Sequence, residues 1–176
     1  MLKDSVIYAE MMVHIPMCTH KEAKKVLVIS DRCDIFIEEV NKHNAEVTCS
    51  KTFNVEDIFD VVILDGMIDE LTMANVNRVL DQAEGIFVCT TTMYQKDSKK
   101  MVADLKTIGE HFWISMPYQF GHTVAILASK KYHPQADIIL DRSDFLDTQY
   151  YYTELQNAAF VLPLYIQKAI TGIAKR

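Results

Sequence analysis

The residues with the most chemistry to offer are Asp65, which ends the apolar run Val61-Val62-Ile63-Leu64, and the turn Ser30-Asp31-Arg32-Cys33-Asp34, which follows Val26-Leu27-Val28-Ile29. Ligands of an α/β sheet bind outside the carboxyl ends of its strands. A carboxylate there can orient a polar ligand or take a proton from it. The pair Asp65-Gly66 also suits a plain turn that closes a strand, with no chemical role. The turn at Ser30 lies where a nucleotide-binding fold places glycines, which let the backbone approach a cofactor closely. The chain has five glycines, Gly66, Gly85, Gly109, Gly121 and Gly172, and none falls near that turn. The four cysteines, Cys18, Cys33, Cys49 and Cys89, lack any CxxC or Cys/His ligand spacing and read as reduced thiols of a cytoplasmic protein. The histidines show no i, i+4 metal pair and no adjacent nucleophile, so they read as solvated or satisfied and no metal is expected. Trp113, inside an apolar pattern, reads as core.

The elements that must position these residues alternate between helical patterns and short β-branched runs, the signature of an α/β sheet. Ile7, Met11 and His14 share a face of an opening helix. The strand at Val26, a helix from Asp34 to His43 and a strand at Glu46 to Cys49 follow. The run Asp60 to Asp65 reads as a central strand buried on both faces. The pattern continues with a helix from Leu71 to Ala83, a strand from Gly85 to Thr91 and a helix from Lys96 to Glu110. His111 to Met116 and Thr123 to Ser129, joined by the short segment Pro117 to Gly121, suit an antiparallel pair. Thr153 with Gln156 makes a capping box that opens a helix. Pro163 suits the first turn of a last helix running to Ile173.

A length of 176 residues, 49% of them hydrophobic, suits one domain over residues 1–176 with a sizeable core. A net charge of -6 argues against non-specific nucleic-acid binding and weakly favours cationic ligands. No apolar stretch approaches the roughly 18 residues of a membrane span, and Asp4 and Glu10 break any signal-peptide pattern.

The tail Tyr150-Tyr151-Tyr152-Thr153-Glu154-Leu155-Gln156-Asn157-Ala158-Ala159-Phe160-Val161-Leu162-Pro163 resembles the YYNxEIHxAAFALP signature that closes the polyamine aminopropyltransferases, the spermidine synthases. The opening Ser5-Val6-Ile7-Tyr8-Ala9-Glu10-Met11-Met12-Val13-His14 is similar to that family's IYHEMLAH helix, and Lys24 to Ile29 to its lead into the first strand. The resemblance runs from Asp4 onward, with a gap after Lys51. It implies a Rossmann-like fold of the S-adenosylmethionine-dependent transferase type, a reduced parallel sheet ending in an antiparallel hairpin. It also implies a transferase moving an aminopropyl group from decarboxylated S-adenosylmethionine, a co-substrate rather than a tightly bound cofactor, onto putrescine.

An alkylamine, like a lysine side chain with a pKa near 10.4, is mostly protonated at neutral pH and must lose a proton before it attacks. Asp65 matches the first aspartate of the family's DSxD loop, which implies the role of that base. Tyr8 and Tyr118 match tyrosines near the amine. The second acid of the loop falls on Ile68, with Asp69 one place later as the remaining substrate contact. The family's GGGDGG loop falls on Ser30 to Ile35, where Cys33 holds the aspartate position and Asp34, one place on, is the nearest cofactor contact. The acid expected to hold ribose hydroxyls falls on Lys51, an ammonium with no acceptor. The family's helix and strand with its adenine contacts give way to the link Thr52 to Phe59.

That link must cross two strand spacings, about 9.5 Å, and return along a strand, about 17 to 20 Å, which some nine extended residues can span at about 30 Å. The chain begins where the family's N-terminal β-domain would end. Two functions follow: a spermidine synthase-like transferase, or a non-catalytic homologue that binds a polyamine or a partner protein. Apolar surface left by the missing helix suits a homodimer.

Overall fold

The computed structural model describes residues 1–176. Six strands form one sheet in the order β2-β1-β3-β4-β6-β5, where β1 is Lys25–Ile29, β2 Glu46–Ser50, β3 Val61–Leu64, β4 Ile86–Thr91, β5 Ile114–Phe120 and β6 Thr123–Ser129. The first four in that order are parallel, and β6 pairs antiparallel with both β4 and β5. The helices are α1 (Asp4–Thr19), α2 (Cys33–Asn41), α3 (Thr72–Val79), α4 (Ser98–Gly109), α5 (Leu140–Ser143), α6 (Thr153–Ala159) and α7 (Leu164–Ile170). The reduced sheet closes as the reach of the link allows: β2 and β3 both pair with β1, and residues 51–60 cross between them without a helix. Arg78 of α3 pins that link by donating to the carbonyl of Val55 at 2.6 Å.

Strand alternation divides the core into two layers. Val26, Val28, Val61, Ile63, Met116 and Leu127 face one side, against α1 and Phe36 of α2. Leu27, Ile29, Val62, Phe87 and Ile126 face the other, against Val76 of α3, Leu105 of α4 and Ile166 of α7. Every β1 residue after Lys25 is buried, which explains its unbroken apolar sequence.

The opening helix departs from the expected single apolar face. All residues from Ala9 to Thr19 are buried, because the returning tail covers the side away from the sheet. Glu10, fully buried, accepts backbone N–H bonds from Gln149 (2.8 Å), Tyr150 (2.7 Å) and Tyr151 (2.8 Å). The three-tyrosine segment is thereby fixed to α1. Tyr151 then donates to Gln156 at 2.6 Å, and Gln156 reaches Thr19 and the Pro134 carbonyl. Gln156 is thus spent on burial, and the expected capping box does not form. Thr153 bonds instead to Ser143 and Asp144.

Other boundaries differ for local reasons. Helix α3 stops at Val79 rather than Ala83, since Leu80 bridges to Phe59 and Asp81 accepts from the N–H groups of Ala83 and Glu84. Pro117 to Phe120 are strand, not loop, and the turn tightens to Gly121-His122. Pro117 is tolerated because β5 is an edge strand. The last helix ends at Ile170 rather than Ile173. Trp113 is not core: it is 78% exposed, because Phe112 and Ile114 on either side both turn inward. Cys33 and Cys49 form a disulfide between the start of α2 and β2, which corrects the reading of four free thiols; Cys18 and Cys89 stay free and buried. No helix is long and apolar enough to cross a membrane.

Candidate functional site

The carboxyl ends of β1, β3 and β4 converge with the first turns of α1. Register explains the central pair: Ile29 of β1 lies opposite Leu64 of β3, so the next residues, Ser30 and Asp65, emerge side by side. The Asp65 carboxylate accepts from the Ser30 hydroxyl at 2.7 Å and from the Tyr8 hydroxyl at 2.9 Å. Arg32 completes the group with two bonds, Nε at 3.1 Å and Nη2 at 2.8 Å, one to each carboxylate oxygen. A carboxylate offers about four lone-pair sites. Those of Asp65 are all taken.

The electrostatics follow from this crowding. Partial burial acts to raise the Asp65 pKa, but hydrogen bonds from Arg32, Ser30 and Tyr8 outweigh it and hold the carboxyl below its ordinary range. Burial, then the neighbouring Asp65 charge, drives the Tyr8 hydroxyl well up, so Tyr8 remains a proton donor. The Arg32 guanidinium also lies over the Tyr8 ring, 5.1 Å from its centroid. Two recesses flank this group. One, about 240 Å³, is lined by Asp4, Ile7, Tyr8, Arg32, Phe120 and His122. The other, about 380 Å³, is lined by Tyr8, Arg32, Asp65, Thr90, Lys96 and His122 among others. Tyr8, Arg32, His122 and Thr123 border both.

Of the residues singled out in the sequence, the structure brings together Asp65 and Tyr8. Tyr118 lies close behind them but fully buried, stacked on Phe120 at 5.7 Å, with its hydroxyl directed to the Met11 carbonyl at 3.4 Å. Phe120 lines the cavity in its place. Asp69 is exposed and holds the turn that leads into α3: its Oδ1 accepts from the Leu71 N–H at 3.0 Å and the Thr72 hydroxyl at 2.7 Å. The Thr72 hydroxyl bond and the Leu71 N–H hold its carboxyl below the usual range. Asp34 is exposed in the first turn of α2, outside the Asp65 group.

Ser30 and Arg32 were not singled out as ligands of Asp65. The available signal is positional: both follow the first strand closely, as Asp65 follows its parallel neighbour, which sets a hydroxyl and a cation near the carboxylate.

The edge expected to receive an adenosyl group is differently built. The Arg32 N–H is taken by the Ser30 hydroxyl at 2.8 Å, so it is not free for a ligand. The disulfide ties the same turn to β2. Lys51, past the end of β2, pairs with Asp31 at 3.4 Å with both side chains exposed. The position past β2 where the resemblance requires an acid for ribose hydroxyls carries the Lys51 ammonium, which has no acceptor, so this position does not fit the adenosyl group. No group of three or more His, Cys, Asp or Glu side chains is placed to hold a metal ion.

Comparison with known proteins places this geometry. Residues 5–52, which carry Tyr8, Ser30 and Arg32, match the spermine/spermidine synthase domain. A polyamine aminopropyltransferase from Clostridium beijerinckii is 28% identical, covering 97% of this chain and 80% of its own length. That alignment runs over 228 positions for a chain of 176 residues, so the relative carries internal stretches that this chain skips. The polyamine aminopropyltransferase of Thermoanaerobacter sp. is also 28% identical, over 94% of this chain and 78% of its own. The fold is that of Thermotoga maritima spermidine synthase, with a TM-score of 0.82 at 23% identity over 97% of this chain and 75% of that one. With the domain match at one end, aligned relatives along nearly its whole length and a common fold, the chain is similar in sequence and fold to the polyamine aminopropyltransferases (spermidine synthases).

Proposed function

We propose that this protein acts on polyamines through an amine-binding site at Asp65, as an aminopropyltransferase of the spermidine synthase type. The observation that carries the reading is the Tyr8-Asp65-Ser30 cradle with a cation already seated on it. A part-buried hydroxyl on each side fixes the carboxylate, and the remaining positions face the recesses and receive a positive nitrogen. A primary ammonium offers the same charge and donors as the guanidinium. Once Arg32 is displaced, the carboxylate loses its strongest acidifying bonds and becomes a better base. It can then orient the amine and receive its proton, which leaves the nitrogen lone pair exposed. Tyr8, kept protonated, holds the carboxylate in place during that transfer.

A second reading, a non-catalytic homologue that binds a polyamine or a partner protein, is favoured by two observations: the saturated carboxylate and Lys51 at the position where a ribose-binding acid is expected. Purified protein incubated with putrescine and decarboxylated S-adenosylmethionine separates the two. The first reading expects spermidine, lost in Asp65→Asn; putrescine binding that is abolished by Asp65→Asn, with no product, supports the second. Absence of both binding and product refutes the amine site altogether. A homodimer fits either reading, and light scattering at high concentration checks the association.

A further inference from the structure

We propose that Arg32 is a built-in placeholder for the substrate ammonium, which an incoming amine must displace from Asp65. The inference rests on Asp65 being the amine site. The three residues that donate to Asp65 differ in freedom. Tyr8 is set in α1 between Phe36 and Phe120, with ring centroids at 6.1 and 6.2 Å. Ser30 is buried at the end of β1. Arg32 sits in a turn, with its side chain 53% exposed while that of Asp65 is 11% exposed. Its guanidinium is held only by Asp65 and the face of the Tyr8 ring. It is therefore the one donor that can leave without unpacking the core.

Its departure does two things together. It opens two acceptor sites on the carboxylate, one on each oxygen. It also removes a side chain that borders both recesses, so the spaces beside Tyr8 and beside Thr90 join into one cleft. An alkylamine fits the joined space: its head on Asp65, its chain along Ile7, Tyr8 and Phe120, which line the first recess. A neutral or anionic ligand gains nothing from displacing the guanidinium. Arg32 thus sets a threshold that only a cation with comparable hydrogen-bonding capacity crosses.

In a population picture, the apparent affinity is reduced by the fraction of molecules in which Arg32 is swung out. A half-exposed ion pair is weak, so removing it raises affinity modestly. Calorimetric titration of the full chain with putrescine tests this. Arg32→Ala should bind putrescine about 3- to 10-fold more tightly than the unmodified protein. Lys51→Ala, which removes the same charge from a nearby exposed pair outside both recesses, should change affinity by less than about 2-fold, since exposed charges are screened within about 8 Å at physiological salt. Thermal unfolding of each variant confirms that it is folded. Equal affinity in Arg32→Ala and the unmodified protein overturns the placeholder while leaving the amine site standing. An equal gain in Lys51→Ala also overturns it, by reducing the effect to general charge. No binding to any of the three removes the amine site and the placeholder with it.

Discussion

Replacing Glu10 by Gln tests the contact that joins the two ends of the chain. Glu10 is fully buried, and its carboxylate receives three backbone N–H bonds of 2.7 to 2.8 Å from Gln149, Tyr150 and Tyr151. Two arrive at Oε2 and one at Oε1. A glutamine can keep its oxygen at the doubly bonded position, but its amide then turns N–H toward the Gln149 N–H, which is left without an acceptor. Hydrogen bonds to charged groups contribute about 1.5–3 kcal/mol each. One is lost and two lose their charge assistance, while removing the buried charge returns some desolvation energy. The expected net cost is about 3 kcal/mol. For a chain of this size, at about 2–4 °C per kcal/mol, the midpoint of thermal unfolding should fall by about 6–12 °C. Urea denaturation should show a lower midpoint with an unchanged slope, and limited proteolysis should cut the 144–152 segment earlier than in the parent. A cost below about 1 kcal/mol, with the segment equally resistant, would mean that side-chain burial rather than the Glu10 clamp holds the tail.

Acidification should destabilise the protein through His43. Burial, then the neighbouring His14, holds the His43 pKa down to about 3. The unfolded chain therefore takes up this proton first, so the stabilisation is complete above about pH 6.5 and is lost as pH falls toward 3, at about 1.4 kcal/mol per unit, or about 2 kcal/mol by pH 5. Urea midpoints at pH 7.5 and 5 should show this drop and a flatter profile in His43→Phe; parallel profiles would assign the acid sensitivity elsewhere. Reduction of the Cys33–Cys49 bond, which spans a sequence separation of 16, should cost about 3 kcal/mol through the freed unfolded chain. Thermal scans with and without a dithiol reductant, set beside Cys33→Ser, measure it; an unchanged midpoint on reduction would show that the bridge is not formed in solution.

The sheet was legible because its strands are short runs of β-branched and apolar residues separated by helical periodicities, and both patterns are local. Asp65 was legible for the same reason, as the first polar residue after a buried strand. The tail helices could be placed near Thr153 and Pro163 from their own residues. Misreadings arose where a local rule met a distant partner. Gln156 has the spacing of a cap but is drawn inward by Tyr151, Thr19 and Pro134. Trp113 belongs to an apolar run, yet it sits in the bend just before β5, where inward-facing Phe112 and Ile114 leave it turned to solvent.

The sequence by itself determined the alternation of elements, the family likeness at both ends and the presence of a carboxylate at the edge where α/β proteins bind ligands. Only the tertiary structure decided what that carboxylate meets. Arg32 and Asp65 are 33 positions apart, and no periodicity links them; parallel pairing of β1 with β3 sets their strand ends side by side. The same folding buries Tyr118 behind Phe120 and bonds Cys33 to Cys49. Spacing along the chain specifies elements because backbone periodicity is local, whereas a site is specified by which elements pack together, and there a single cation can alter the availability of a carboxylate.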